Sequence, residues 1–262
     1  MKKRSLVGVL ACMLVFGVFA LGSGEDNSSR DSVSISADGE VSSNEESSEK
    51  GTADSEEISY EISDTSFEYY TNSIGKTEYY GYVEITNTGS NDIYMDDCTF
   101  DIEDNDGHLL QSDSFISSCP EVISPGEKGY FFNGIGSSYL DDSVSMDNGI
   151  NLTPQIKLTK ATGKPHAYPV SDLDIKEDGY GYVKVTGRVE NDTEETASYV
   201  SLYFVFYDAD GKAIAITSSS VTDIPAGGKG SFDTSAMFAN ENLSVDNIAD
   251  TVVIAEDTYM QF

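Results

Sequence analysis

Phe204-Val205-Phe206-Tyr207-Asp208-Ala209-Asp210-Gly211 is the stretch whose reading decides the fold. Phe204 and Phe206 are two apart, so on a strand they share one face and point together into a core. Asp208 and Asp210 can accept bonds from neighbouring backbone amides, and Gly211 supplies the positive φ of a tight turn. The stretch therefore predicts a strand that reverses in a hairpin. Phe100-Asp101-Ile102-Glu103-Asp104-Asn105-Asp106-Gly107 has the same design, 204 − 100 = 104 residues earlier. Phe100 and Ile102 take the core positions, and Asp104, Asp106 and Gly107 take the turn.

Three further landmarks repeat in the same order. Tyr80-Gly81-Tyr82-Val83 aligns with Tyr180-Gly181-Tyr182-Val183, a shift of 180 − 80 = 100. Ser124-Pro125-Gly126 aligns with Ile224-Pro225-Ala226-Gly227, with Lys128 and Lys229 after them (229 − 128 = 101). Ser145-Met146-Asp147-Asn148 aligns with Ser244-Val245-Asp246-Asn247 (244 − 145 = 99). Four landmarks at nearly one shift predict a duplicated domain of about a hundred residues. Period-2 alternation of Tyr, Phe, Ile and Val, broken by Gly, Asn, Asp and Pro, predicts short strands with sandwich spacing. The expected fold is all-β: two tandem immunoglobulin-like β-sandwich domains, residues 58–163 and 170–262, joined by a Pro-flanked linker over 164–169.

The N-terminus reads as an export signal. Lys2, Lys3 and Arg4 precede an apolar run from Leu6 to Leu21, and small residues follow at Ala20 and Gly22. Residues 1–22 are expected to be a cleaved signal peptide, with retention as a membrane anchor through residues 6–22 or lipidation at Cys12 as the alternatives. Residues 23–57 are Ser-, Glu- and Asp-rich, a composition too polar to fold and self-repelling enough to act as an extended stalk. The expected location is extracellular or at the cell surface, with membrane contact only through the N-terminal segment.

Charge narrows the partners. The 262 residues hold 15 Lys plus Arg against 46 Asp plus Glu, a formal net charge of −31. Nucleic acid is repelled by that field. A protein or glycan at the cell surface is the expected partner, and no cofactor is expected. Cys98 and Cys119 are the cysteines beyond the leader. They form a candidate disulfide in an exported chain, or else two small buried thiols.

Phe204-Val205-Phe206-Tyr207-Asp208, with Gly187-Arg188-Val189-Glu190-Asn191 upstream, resembles the signature of the FxLYD domain. Phe206 stands where that family has Leu. The first copy matches less well, because Glu103 replaces the Tyr, but Asn87 is the counterpart of Asn191. The resemblance implies a β-sandwich module of exported bacterial proteins. It carries over no catalytic residues.

The two copies differ on the second face of the motif strand. Tyr199, Tyr203, Val205 and Tyr207 stand where the first copy has Met95, Thr99, Asp101 and Glu103. Tyrosine on a sheet face suits binding, so Tyr199, Tyr203 and Tyr207 form a candidate binding face. Packing of that face on the first domain is the alternative. The leading function is a non-catalytic surface module for binding, adhesion or envelope structure. A calcium-dependent module using Asp92, Asp96, Asp97, Asp141 and Asp142 is the alternative. The Asp-x-Asp-Gly turns lack a full EF-hand ligand set. A carboxylate-based glycosidase is the remote third reading.

Overall fold

The computed structural model describes residues 58–71, 75–133, 138–142, 144–236 and 243–258. The expected signal (1–22), the stalk (23–57) and Cys12 lie outside them. The described residues are all-β. In chain order the strands are β1 (Tyr60–Thr71), β2 (Thr77–Asn87), β3 (Ile93–Glu103), β4 (Leu109–Asp113), β5 (Ile116–Cys119), β6 (Val122–Ile123) and β7 (Lys128–Asn133), then β8 (Asn151–Lys160), β9 (Val170–Glu177), β10 (Val183–Glu190), β11 (Ala197–Tyr207), β12 (Ala213–Ile224), β13 (Lys229–Ala236) and β14 (Asp250–Glu256). No helix among the described residues is long and apolar enough to cross a membrane.

Residues 60–160 contribute two antiparallel sheets. One has the order β1-β2-β7-β5; the other has β4-β3-β6, with β8 also on β3. Residues 170–256 contribute two more, β13-β10-β9 and β12-β11-β14. Alternation along β2 decides what each face touches. Val83 and Ile85 point into a core with Phe100, Ile123 and Phe131. Tyr80 and Tyr82 point the other way, into a cluster that includes Phe204, Phe206 and Phe232 of the C-terminal half. In β11, Phe204 lies 5.6 Å from Phe232 at a tilted edge, so the motif Phe faces inward as its spacing predicts.

Both Asp-x-x-Gly turns form as read. Asp104 Oδ1 accepts the amides of Asp106 and His108, and Asp208 Oδ1 accepts those of Asp210 and Lys212, at 2.9–3.0 Å. Gly107 and Gly211 have φ of 80° and 77°. The same device appears a third time where it was not expected. Asp178 Oδ1 accepts the amides of Tyr180 and Tyr182, and Gly181 has φ 87°. Tyr180-Gly181-Tyr182 is thus a hairpin turn, whereas Tyr80-Gly81-Tyr82 is buried strand. The shift-100 match equates two different structures, and that landmark is corrected.

One side-chain network does recur, at the shift of the motif strands. Buried Asn87 donates to the carbonyls of Asn91 and Ile123 and accepts from the Gly89 amide. Buried Asn191 donates to those of Glu195 and Ile224 and accepts from the Thr193 amide. The offset is 191 − 87 = 104, the offset of the two motif strands. Glycine is required next to these sites for space: a Cβ on Gly129 would sit 2.1 Å from Ile123, and one on Gly230 would sit 2.9 Å from Ile224.

Candidate functional site

Among the described residues, several side-chain hydrogen bonds cross where β2, β5 and β7 of the N-terminal half meet β11, β12 and β14 of the C-terminal half. β12 is an edge strand, and its outward backbone groups are open to any strand that would pair with them. Tyr80 closes that edge. Its hydroxyl donates to the Ile216 carbonyl and accepts the Ile216 amide, both at 2.7 Å. Tyr82 donates to the Ala213 carbonyl at 2.5 Å, with Asp64 3.1 Å away. Lys212 reaches the same Asp64 at 3.2 Å. Burial removes solvent from the Tyr80 and Tyr82 phenols and holds both well above their ordinary titration range.

Beside this edge lies a buried relay. The Glu84 carboxylate accepts from Lys128 at 2.7 Å, from Ser63 at 2.9 Å and from the Tyr130 hydroxyl at 2.9 Å. The Tyr130 hydroxyl lies 2.8 Å from that of Tyr207. Phe132 meets Tyr203 edge-on at 6.3 Å, and the Tyr203 hydroxyl donates to Glu121 at 3.2 Å. Glu121 in turn donates its amide to buried Glu256 at 2.8 Å.

The candidate binding face is therefore occupied from within the chain, and the alternative, packing on the N-terminal half, is what Tyr203 and Tyr207 do. Tyr203 is buried and Tyr207 is bonded to Tyr130, and both serve the contact with the N-terminal half. Only Tyr199, 50% exposed, keeps an open side. The physical reason is visible in the partner: β2 and β7 offer Tyr80, Tyr82, Tyr130 and Phe132 on one face, an apolar surface that needs cover. In sequence Tyr80 and Tyr82 stand out only as part of a repeated string and Tyr130 and Phe132 not at all; the two-residue spacing within each pair puts its members on one face, but not against which partner.

The candidate disulfide is also corrected. Cys98 and Cys119 are both free and buried. Cys98 belongs to the inner core of the N-terminal half and Cys119 to the cluster at the seam, so different layers separate them. Burial pushes the Cys98 thiol up to about 12 and Cys119 well above its usual range. Such thiols are poor nucleophiles at neutral pH.

The acidic residues weighed for calcium do not gather into one place. Asp92 pairs with Lys164, Asp96 with Lys157 and Asp142 with Lys76. The ligand atoms of Asp104, Asp106 and His108 do lie within 4.8 Å of one another. Their geometry is that of the turn, however. Asp104 takes the Asp106 and His108 amides and the His108 ring, and Asp106 accepts from Asn148. The His108 amide, chiefly, holds the Asp104 carboxyl down at about 2. A surface cavity of about 780 Å³ is lined by Lys76, Leu110, Gln111, Tyr139, Asp141 and Asp142. Gln111 there binds the Tyr139 carbonyl and the Asp141 amide, and Lys76 binds Asp142, so these polar groups serve the loop itself. No protein-family model matches the chain, and no curated protein matches its sequence.

Proposed function

We propose that the chain is a non-catalytic, exported surface protein whose two tandem immunoglobulin-like repeats, similar to FxLYD domains, act as one rigid unit at the end of an acidic stalk. In this reading it serves binding, adhesion or envelope structure toward a protein or glycan partner. The observation that carries it is the seam: tyrosine hydroxyls of one half satisfy the open strand edge of the other, and the two share one apolar cluster. A contact built like a core resists bending in a way that a flexible linker does not. The matched Asn87 and Asn191 networks support the duplication. The charge of −31 favours a solvated, extracellular setting.

The test is location. The full chain, tagged at its C-terminus and produced in a bacterial host, should leave the cytoplasm and be released from the cell once its leader is cut. Its mature N-terminus should fall near Gly22. A chain that keeps Met1 and stays in the cytoplasm overturns the reading.

A further inference from the structure

The seam contains one acid that its other contacts do not explain. Glu256 closes β14, is 4% exposed, and lies across the ladder from Ser201. Its carboxylate accepts the Glu121 amide, which comes from the turn after β5 in the other half. Among the described residues, the neighbouring charge that acts on it is the carboxylate of Glu121. Glu121 brings a second carboxylate, Cys119 a buried thiol, and Tyr203 a hydroxyl donated to Glu121. On the remaining side, Ala167 bridges to Glu256, the His166 carbonyl accepts the Asp257 amide, the His166 ring pairs with Asp192, and Asp257 accepts from Tyr168. An ionised carboxylate here is desolvated and faces a like charge across the seam.

We propose that Glu256 is a pH-sensitive latch between the two halves: the seam tightens when its carboxyl is protonated and loosens when it is ionised. Burial, with the neighbouring Glu121 charge adding to it and the Glu121 amide opposing, raises Glu256 from 4.5 to about 7. The sign follows from linkage. The closed seam binds the proton more tightly than the open one, so closure is favoured as pH falls through 7 toward 4.5. Its cost is fully present above 7. Between pH 5 and pH 8 this amounts to at most about a seventyfold change in the opening equilibrium. The proposal rests on the seam and not on export; a protein found inside the cell would leave it standing.

The experiment is amide hydrogen exchange on the full chain from pH 5 to pH 8, corrected for intrinsic exchange. The reporters are the Ile216 amide, bonded to Tyr80, and the Glu121 amide, bonded to Glu256. Opening at both should rise steeply with pH in the wild type, while the β3–β8 ladder stays unchanged. In Glu256→Gln, which keeps the acceptor but cannot ionise, the rise should shrink to about threefold or less. A flat wild-type profile overturns the latch, and so does a slope that survives Glu256→Gln or one shared equally by the β3–β8 ladder. If the variant fails to fold, carbon-detected titration of the wild-type Glu256 carboxyl decides. A midpoint near 7 sustains the proposal, and an ordinary glutamate midpoint overturns it.

Discussion

β2 and β10 occupy matching places, 104 residues apart, and present opposite surfaces. In β2 the outward positions are Tyr80, Tyr82 and Glu84, buried against the other half. Their counterparts in β10 are Lys184, Thr186 and Arg188, which face outward with Lys184 paired to Asp233 and Arg188 to Asp172. The motif strands show the reverse. β11 turns Tyr203, Val205 and Tyr207 to the seam, whereas β3 carries Thr99, Asp101 and Glu103, bonded to neighbours such as Ser112 and Thr153. Each half thus has one adhesive outer face and one polar face, and the adhesive faces meet each other. Alternation makes this possible. Every second residue can change from tyrosine to charge without disturbing the Val, Ile and Phe that hold the scaffold. Polar outer faces at both ends also limit further stacking of the kind repeat arrays show.

The contrast is broken most directly at its strongest pair. Tyr80→Ala removes a fully buried ring and both bonds to Ile216, and should lower unfolding stability by about 3–5 kcal/mol in chemical denaturation. Lys184→Ala, at the matching position, should change it by no more than about 0.5 kcal/mol. Equal losses at the two positions would mean that the faces are not the difference described. A smaller effect should be symmetric. Asn87→Ala and Asn191→Ala each strand the buried carbonyl of Ile123 or Ile224, at a cost of about 1–3 kcal/mol. Similar values at both sites sharpen the equivalence, and a large disparity argues against it.

What the sequence made legible was whatever depends on local chemistry. The Phe204 strand and the Asp208–Gly211 turn follow from period-2 spacing and positive φ, and both stand in the structure as read. Pro125-Gly126 likewise turns, with Gly126 at φ 80° and the Glu127 amide on the Ser124 carbonyl. The seam was not legible in the same way. Whether Tyr203 faces solvent or a second sheet depends on where β2 and β7 arrive, and no local pattern encodes that. Cys98 and Cys119 illustrate the same limit. Parity and compartment suggested a pair, but the sheet layers put the thiols in different clusters. Nor does any residue type announce that the acid at Glu256 is buried, since 46 acidic residues share the chain.

The last comparison concerns two tyrosines that look alike in sequence. Tyr80 and Tyr180 sit in the same Tyr-Gly-Tyr-Val string, yet Tyr180 is 88% exposed at the tip of the β9–β10 hairpin. Its amide is held by Asp178 and its ring is exposed to solvent, so the turn depends on Asp178 and Gly181 instead. The signal for this was present: Asp178-Gly179-Tyr180-Gly181 has the Asp-x-x-Gly spacing of the two recognised turns, and a repeat match at shift 100 obscured it. Tyr180→Ala should therefore move the denaturation midpoint almost not at all, within about 0.5 kcal/mol of wild type. A loss comparable to that of Tyr80→Ala would restore the shift-100 alignment and undo the one on Asn87 and Asn191. A near-zero value would leave 104 as the offset over the Asn87 and Asn191 strands and the motif hairpins, with 101 holding from Ile123 and Ile224 onward.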